Sequence, residues 1–289
     1  MRWIKVISPP AYQAPRIRLF FLTFFLSTAI AGLLTASLSV RPLIATVVKI
    51  DVLTYLLGFS IAMTLKKFDP APSHQEQLFS MRLRDSLHDI AKSMELSGFF
   101  ASVVFSQAVF QGAYSVLISY VPIQKFHLGV RGIGAFQLAT SFGIIGGFLV
   151  LRSRPRLYAG PRRSLSLSII GSVLVGCTSL MASLLASRTA PSLIGFFLFN
   201  LAYECVWLHN SSEFFRKSPE SAIARYQFSL TATASCVMAA FTLGYSESIR
   251  LFGPFSGASV VMILGLLLWT YAIRHAESRQ AALSVSANT

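Results

Sequence analysis

Residues 143–163 read GIIGGFLVLRSRPRLYAGPRR and carry the pattern that decides the fold. An apolar segment that begins near residue 132 ends here, and five arginines follow with no acidic residue among them. A run of about 20 apolar residues crosses the roughly 30 Å hydrocarbon core of a bilayer as an α-helix. Lys and Arg are retained on the cytoplasmic side during insertion. The stretch therefore predicts a transmembrane helix that ends in the cytoplasm.

The same alternation of apolar and basic segments extends along the whole chain. Nineteen of the 25 Lys and Arg residues fall in alternate gaps between eight apolar stretches, five fall in the other gaps, and Lys49 lies inside a stretch. This bias predicts eight membrane crossings with both termini in the cytoplasm. We therefore expect an all-α integral membrane protein with transmembrane helices at approximately 18–38, 43–65, 97–121, 132–152, 165–187, 191–211, 225–246 and 255–275.

The composition agrees with a membrane location. Of the 289 residues, 54% are apolar and 12% charged, and the mean hydropathy is +0.61, which is too apolar for a water-soluble fold. A net charge of +14 would fit nucleic-acid binding in a soluble protein. Here the basic residues cluster at predicted cytoplasmic helix ends, where they meet anionic lipid. We expect the lipid bilayer as a partner and no nucleic acid.

The apolar stretches divide the chain into unequal parts. Residues 1–65 form an N-terminal tail and a two-helix hairpin, and residues 97–276 form a six-helix bundle. Between them, residues 66–96 form a cytoplasmic linker with apolar residues at 83, 87, 90 and 94, the spacing of a short amphipathic helix. Residues 277–289 are small and polar, and we expect a disordered tail.

Three local runs carry a resemblance to a known family. Residues 41–57 (RPLIATVVKIDVLTYLL), 143–163 and 224–230 (ARYQFSL) resemble segments of the major facilitator superfamily, in its exporter branch that includes enterobactin and macrolide efflux proteins. The resemblance covers about residues 18–275. It implies that the eight helices correspond to helices 5–12 of a major facilitator fold, with the first four helices missing.

The resemblance also implies a function. The chain would be a secondary active efflux permease for a small amphipathic solute in a bacterial inner membrane, and it could be proton-coupled. A second chain or a second copy of this one would supply the missing helices. The alternative is a truncated, non-transporting paralogue that binds a partner permease or lipid.

Glu204 is the leading candidate for proton coupling. It lies near the middle of 191–211, with Asn200 one turn before it and Trp207 about one turn after it on a similar face. Ionisable groups at membrane depth are costly and are often functional. In the resembled family this helix lines the solute path, so Asn200 and Trp207 are candidate solute contacts. Glu204 could instead donate a structural hydrogen bond to a neighbouring helix.

Gln107, Gln111 and Tyr114 form a polar stripe on an otherwise apolar helix. The resemblance makes this the other helix that lines the path, so the stripe could bind the solute. Hydrogen bonding between helices is an equally good explanation.

Further residues are assigned by position. Asp51 enters the membrane from the outer side and is either structural or a second proton-coupling candidate. The basic residues Arg152, Arg154, Arg162, Arg163 and Arg225 would form a cytoplasmic gate loop by resemblance, or would act only as an orientation signal.

Other classes of chemistry lack their motifs. Gly143 and Gly147 form a small-xxx-small pair, which is a helix-packing motif. Cys177, Cys205 and Cys236 lie far apart without a CxxC spacing or a His-rich neighbour, so we expect no metal. There is no P-loop, no GxGxxG and no Ser/His/Asp set, so we expect neither a cofactor nor enzymatic activity.

Overall fold

The computed structural model describes residues 83–153 and 167–286. Every regular element within these residues is helical, and the main helices are α1 (Leu83–Lys92), α2 (Met94–Ser106), α3 (Gly112–Tyr120), α4 (Gly129–Ser153), α5 (Leu167–Leu185), α6 (Thr189–Lys217), α7 (Ile223–Phe252) and α8 (Pro254–Ser286). Two π-helical segments, Gln107–Gln111 and Val121–Lys125, join α2 to α3 and extend α3, and a short 3₁₀ turn, Glu220–Ala222, precedes α7.

Among the described residues, six helices are long and apolar enough to cross a membrane. They are Leu96–Lys125, Gly129–Ser153, Ser168–Leu185, Thr189–Lys217, Glu220–Phe252 and Pro254–His275. These six agree with the last six apolar stretches of the sequence, so that part of the prediction is confirmed. The stretches 18–38 and 43–65 lie outside the described residues. The protein is an all-helical, multi-pass membrane protein.

The first span continues past Pro122, although a proline inside a helix usually interrupts it. Pro122 lies in the second π-helical segment, and the span ends at Lys125 rather than near residue 121. The wider π turn is closed by hydrogen bonds from the amide of Phe126 to the carbonyl of Val121 (3.2 Å) and from Leu128 to Pro122 (2.9 Å). A proline near the start of such a turn removes no donor that the turn requires.

Residues 277–286 do not form the disordered tail that their polarity led us to expect. They continue α8 as far as Ser286. The segment 276–283 is AESRQAAL, which is rich in strong helix formers, and extending an existing helix avoids the cost of nucleation. The prediction for residues 277–286 was therefore wrong.

The connection between α7 and α8 is a tight helical corner. Gly253 has φ +80°, a left-handed conformation that glycine adopts without strain, and its amide bonds the carbonyl of Ile249 at 2.9 Å. Pro254 then occupies the first position of α8, where its missing N–H costs little.

The six spans pack as two interlocked sets of three. The first set is the first span with α4 and α5, and the second set is α6, α7 and α8. The first span packs against α7 and α8 of the second set, while α6, the first helix of the second set, packs against α4 and α5 of the first. The first span also contacts α6. A set of three helices ends on the opposite side from where it begins, so the two sets run in opposite directions.

A helix is present where the linker pattern predicts one. In α1, Ser86 and Ile90 are buried, and Ile90 packs in a cluster with side chains of α2, α6 and α7. The helix is tied to α7 by an ion pair between Asp89 Oδ2 and Arg225 Nη2 at 2.6 Å. This helix therefore docks on the bundle around Ile90, while Leu83, which begins the predicted apolar stripe, is exposed.

Close approach of α4 to α6 depends on glycine. A Cβ atom placed on Gly147 would lie 2.8 Å from the Leu201 carbonyl oxygen and 2.8 Å from Glu204 Cβ. We predict that Gly147→Ala forces the helices apart and lowers the free energy of unfolding by about 1–3 kcal/mol, which a lower thermal unfolding midpoint in detergent would report.

Gly171 provides the matched control because a Cβ there meets nothing within 4 Å. Gly171→Ala should leave the midpoint unchanged or raise it slightly, since alanine favours helix by roughly 1 kcal/mol. Equal effects of the two substitutions would contradict the packing role of Gly147.

Candidate functional site

The candidate site lies at mid-membrane depth where α4 meets α6. Gly143 and Gly147 of α4 face Asn200 and Glu204 of α6, and a Cβ on Gly143 would lie 3.0 Å from Asn200 Cβ. The predicted packing role of the glycine pair is confirmed. Asn200 and Glu204 lie close to the middle of the span Thr189–Lys217, so these two polar side chains are enclosed between helices instead of facing lipid.

Glu204 is completely enclosed. Its exposed fraction is 0%, and neither Oε1 nor Oε2 has a hydrogen-bond partner among the residues that the structure describes. The alternative expectation for Glu204 was a structural hydrogen bond to a neighbouring helix. Its carboxyl group makes no such bond to any of the described residues. Burying a carboxyl group without a partner is costly in either protonation state.

A network of polar side chains joins three helices beside Glu204. The Tyr114 hydroxyl of α3 donates to Gln137 Oε1 of α4 at 2.5 Å and is within hydrogen-bonding range of Thr140. Asn200 Nδ2 of α6 donates to Thr140 Oγ1 at 3.3 Å and to the Phe196 carbonyl at 2.8 Å. Two predicted solute contacts, Tyr114 and Asn200, thus belong to one network.

Gln107 and Gln111, the other members of the polar stripe, begin and end the first π-helical segment. Both are half-buried, and neither side chain makes a hydrogen bond within the described part of the chain. Phe110, between them, is buried and stacks on Phe199 and Tyr203 of α6 at centroid distances of 5.4 and 5.6 Å. The stacking anchors the segment and leaves the two amide groups available.

Trp207 is half-buried and packs against both of the apolar clusters that form the core. The smaller cluster includes Leu96, Phe99 and Phe214, at the end of the bundle next to α1. This position gives Trp207 a packing role whether or not it also meets a solute.

The structure describes two of the predicted gate residues, Arg152 and Arg225, and gives them different surroundings. Arg225 pairs with Asp89 of α1, while Arg152 is exposed at the end of α4. Arg154, Arg162 and Arg163 lie outside the described residues, as does Asp51. The described portion therefore holds Arg225 in an ion pair with the linker helix.

Sequence reasoning missed Gln137, Thr140 and Asp89. Gln137 and Thr140 are three residues apart on one face of α4, a spacing that could have marked a polar stripe like that of Gln107 and Gln111. Asp89 gave no signal, because its partner Arg225 is 136 residues away in the chain.

Within residues 83–153 and 167–286, no group of three His, Cys, Asp or Glu side chains is placed to hold a metal ion. No protein-family model matches the chain, and neither a curated protein nor a solved structure matches it.

The hydrogen bond between Tyr114 and Gln137 can be measured by a double-mutant cycle of Tyr114→Phe and Gln137→Leu. We expect a coupling energy of about 0.6 kcal/mol, the usual value for such bonds in lipid, in unfolding titrations of the reconstituted protein. Tyr271, exposed on α8, supplies the control: Tyr271→Phe should show no coupling to Gln137→Leu. Zero coupling for both pairs would mean that Tyr114 and Gln137 do not interact.

Proposed function

We propose that this chain is a secondary active transporter of the major facilitator type, an efflux permease for a small amphipathic solute in a bacterial inner membrane. Glu204 takes up and releases the coupling proton. Both termini lie in the cytoplasm, and eight helices cross the membrane. A second chain or a second copy completes the solute path.

The interlocked packing of the six spans supports this proposal. Inverted repeats of three helices occur within each half of major facilitator transporters, and the transported solute binds near the midplane where repeats meet. Here the first helix of each set packs on the other set, and the two first helices meet each other. The polar network of Tyr114, Thr140 and Asn200 lies at this junction.

The burial of Glu204 without a partner is the observation that carries the proposal. A charged carboxylate in such a place costs several kcal/mol, so the enclosed arrangement favours the neutral acid. Deprotonation favours any arrangement in which α4 and α6 separate and water reaches the carboxylate. Proton release and movement of the helices are then coupled because each arrangement prefers a different protonation state.

The solute contacts are the polar stripe and its neighbours: Gln107, Gln111, Tyr114, Asn200 and Trp207. π-helical turns within α-helices occur often at functional sites. Gln107 is the first residue of such a turn and Gln111 is the last. Their amides have no partner among the described residues, whereas Tyr114 and Asn200 already have one. We therefore assign direct solute binding chiefly to the two glutamines.

The test is proton-driven flux in vesicles that contain only this chain. Ethidium serves as the amphipathic solute, and a pH-sensitive dye reports protons. We predict that Glu204→Gln abolishes proton-coupled flux, because the amide cannot release a proton, while the folded protein is recovered in the same amount.

Glu213→Gln is the matched control on the same helix. Glu213 pairs with Arg216 at the surface at 2.6 Å, away from the glycine contact, and its loss should not affect flux. Unchanged flux in Glu204→Gln would refute the coupling role. A wild-type chain that moves no solute would exclude a path completed by a second copy of it, which leaves a path completed by a second chain or the non-transporting paralogue.

A further inference from the structure

α7 is enclosed far less than the other spans. In its most apolar stretch 22% of the residues are buried, against 39% to 61% in the other five spans. Between Phe228 and Leu243, α7 exposes no large apolar side chain. The side chains exposed there are Thr231, Ser235, Cys236, Ala239 and Ala240, which we call the α7 small face.

The α7 small face differs from a lipid-facing surface of the same protein. α8 exposes large apolar side chains over a similar length, namely Val260, Ile263, Leu264, Leu267, Leu268 and Tyr271. Small residues and hydroxyl groups are typical of contacts between membrane helices, because they let the backbones approach closely. The α7 small face is therefore suited to receive another helix.

We propose that residues 18–38 of this same chain cover the α7 small face. The inference does not depend on the transport proposal. The described chain begins at α1, and α1 is fixed at the cytoplasmic end of α7 by the pair of Asp89 with Arg225. Ile90 of α1 also packs in one cluster with Ile223 and Tyr226 of α7. The first described element of the chain therefore contacts this helix.

The sequence of residues 18–38 matches the face in character. It is RLFFLTFFLSTAIAGLLTASL, which is long enough to cross the membrane, and Thr28, Gly32 and Ala36 recur at intervals of four. Residues at this spacing lie on one side of a helix. They form a second small stripe, so two surfaces without large side chains would meet.

The depths of the two stripes also agree. Gly32 is fourteen residues beyond Arg18, and Ser235 is twelve beyond Ile223, where each helix enters from the cytoplasm. At about 1.5 Å per residue these positions lie roughly 21 and 18 Å deep. Residues 43–65 also contain a small stripe, but its Gly58 lies only about 10 Å from the cytoplasmic end by the same rise.

Disulfide trapping in the full chain tests this contact. The three native cysteines are replaced by alanine, Gly32→Cys is combined with Ser235→Cys, and a protease site is inserted within residues 70–80. Cysteines whose Cα atoms lie within about 7 Å can be bridged. After oxidation in membranes and cleavage, we expect a shift on denaturing gels from two fragments to one band of full-chain mass.

A second pair and a control guard against a variant that merely fails to fold. Ala36→Cys with Ala239→Cys, one turn further from the cytoplasm, should give the same joined band. Gly32→Cys with Leu264→Cys, which faces outward from α8, should stay as two fragments.

Three outcomes would overturn the proposal. If Gly58→Cys forms a disulfide with Ser235→Cys and Gly32→Cys does not, then residues 43–65 cover the α7 small face. A band of twice the chain mass would mean that a second copy of the chain covers the α7 small face. Absence of any joined product in both test pairs would leave the face without this occupant.

Discussion

Close contact between α4 and α6 is the constraint on which the centre of this protein depends. Apolar side chains gain little by leaving lipid for other apolar side chains, so membrane helices associate through close backbone packing and hydrogen bonds. Gly143, Gly146 and Gly147 provide the first of these, because any Cβ on them would meet α6. Each glycine weakens helix formation by roughly 1 kcal/mol, and the close contact must offset that cost.

The polar side chains near the contact of α4 with α6 are of two kinds: some have hydrogen-bond partners and Glu204 has none among the described residues. Tyr114, Gln137, Thr140 and Asn200 satisfy one another across three helices and add stiffness. Glu204, one turn from Asn200, is enclosed by Gly147 and has no such partner in the described part of the chain. A satisfied network lies next to an unsatisfied acid, so separating α4 from α6 would relieve Glu204 at the cost of the hydrogen bond from Asn200 to Thr140 between the same two helices.

Much of this arrangement could be predicted from the sequence, because it depends on local patterns. Apolar length locates the six described spans, and the spacing of Gly143 and Gly147 predicts close helix packing, although it does not identify α6 as the partner helix. The ion pair of Asp89 with Arg225 could not be predicted, since it depends on where α1 docks. The continuation of α8 to Ser286 was not predicted, because the polarity of residues 277–286 was given more weight than their helix propensity.

The two ends of the bundle are fastened by different physical means. At the predicted outer end, Lys125 Nζ donates to the carbonyls of Ser183 and Leu184 at 3.2 and 2.6 Å, and the hydroxyls of Ser183 and Ser192 are 2.8 Å apart and buried. At the predicted cytoplasmic end, α1 is joined to α7 by a partly exposed ion pair, which salt screens and which is worth at most about 1 kcal/mol. Within the described residues the polar contacts resist separation more at the outer end. The polar contacts at the predicted outer end join the first span, α5 and α6, whereas those at the opposite end join α1 to α7, where Ile90 and its apolar neighbours add contacts with α2 and α6.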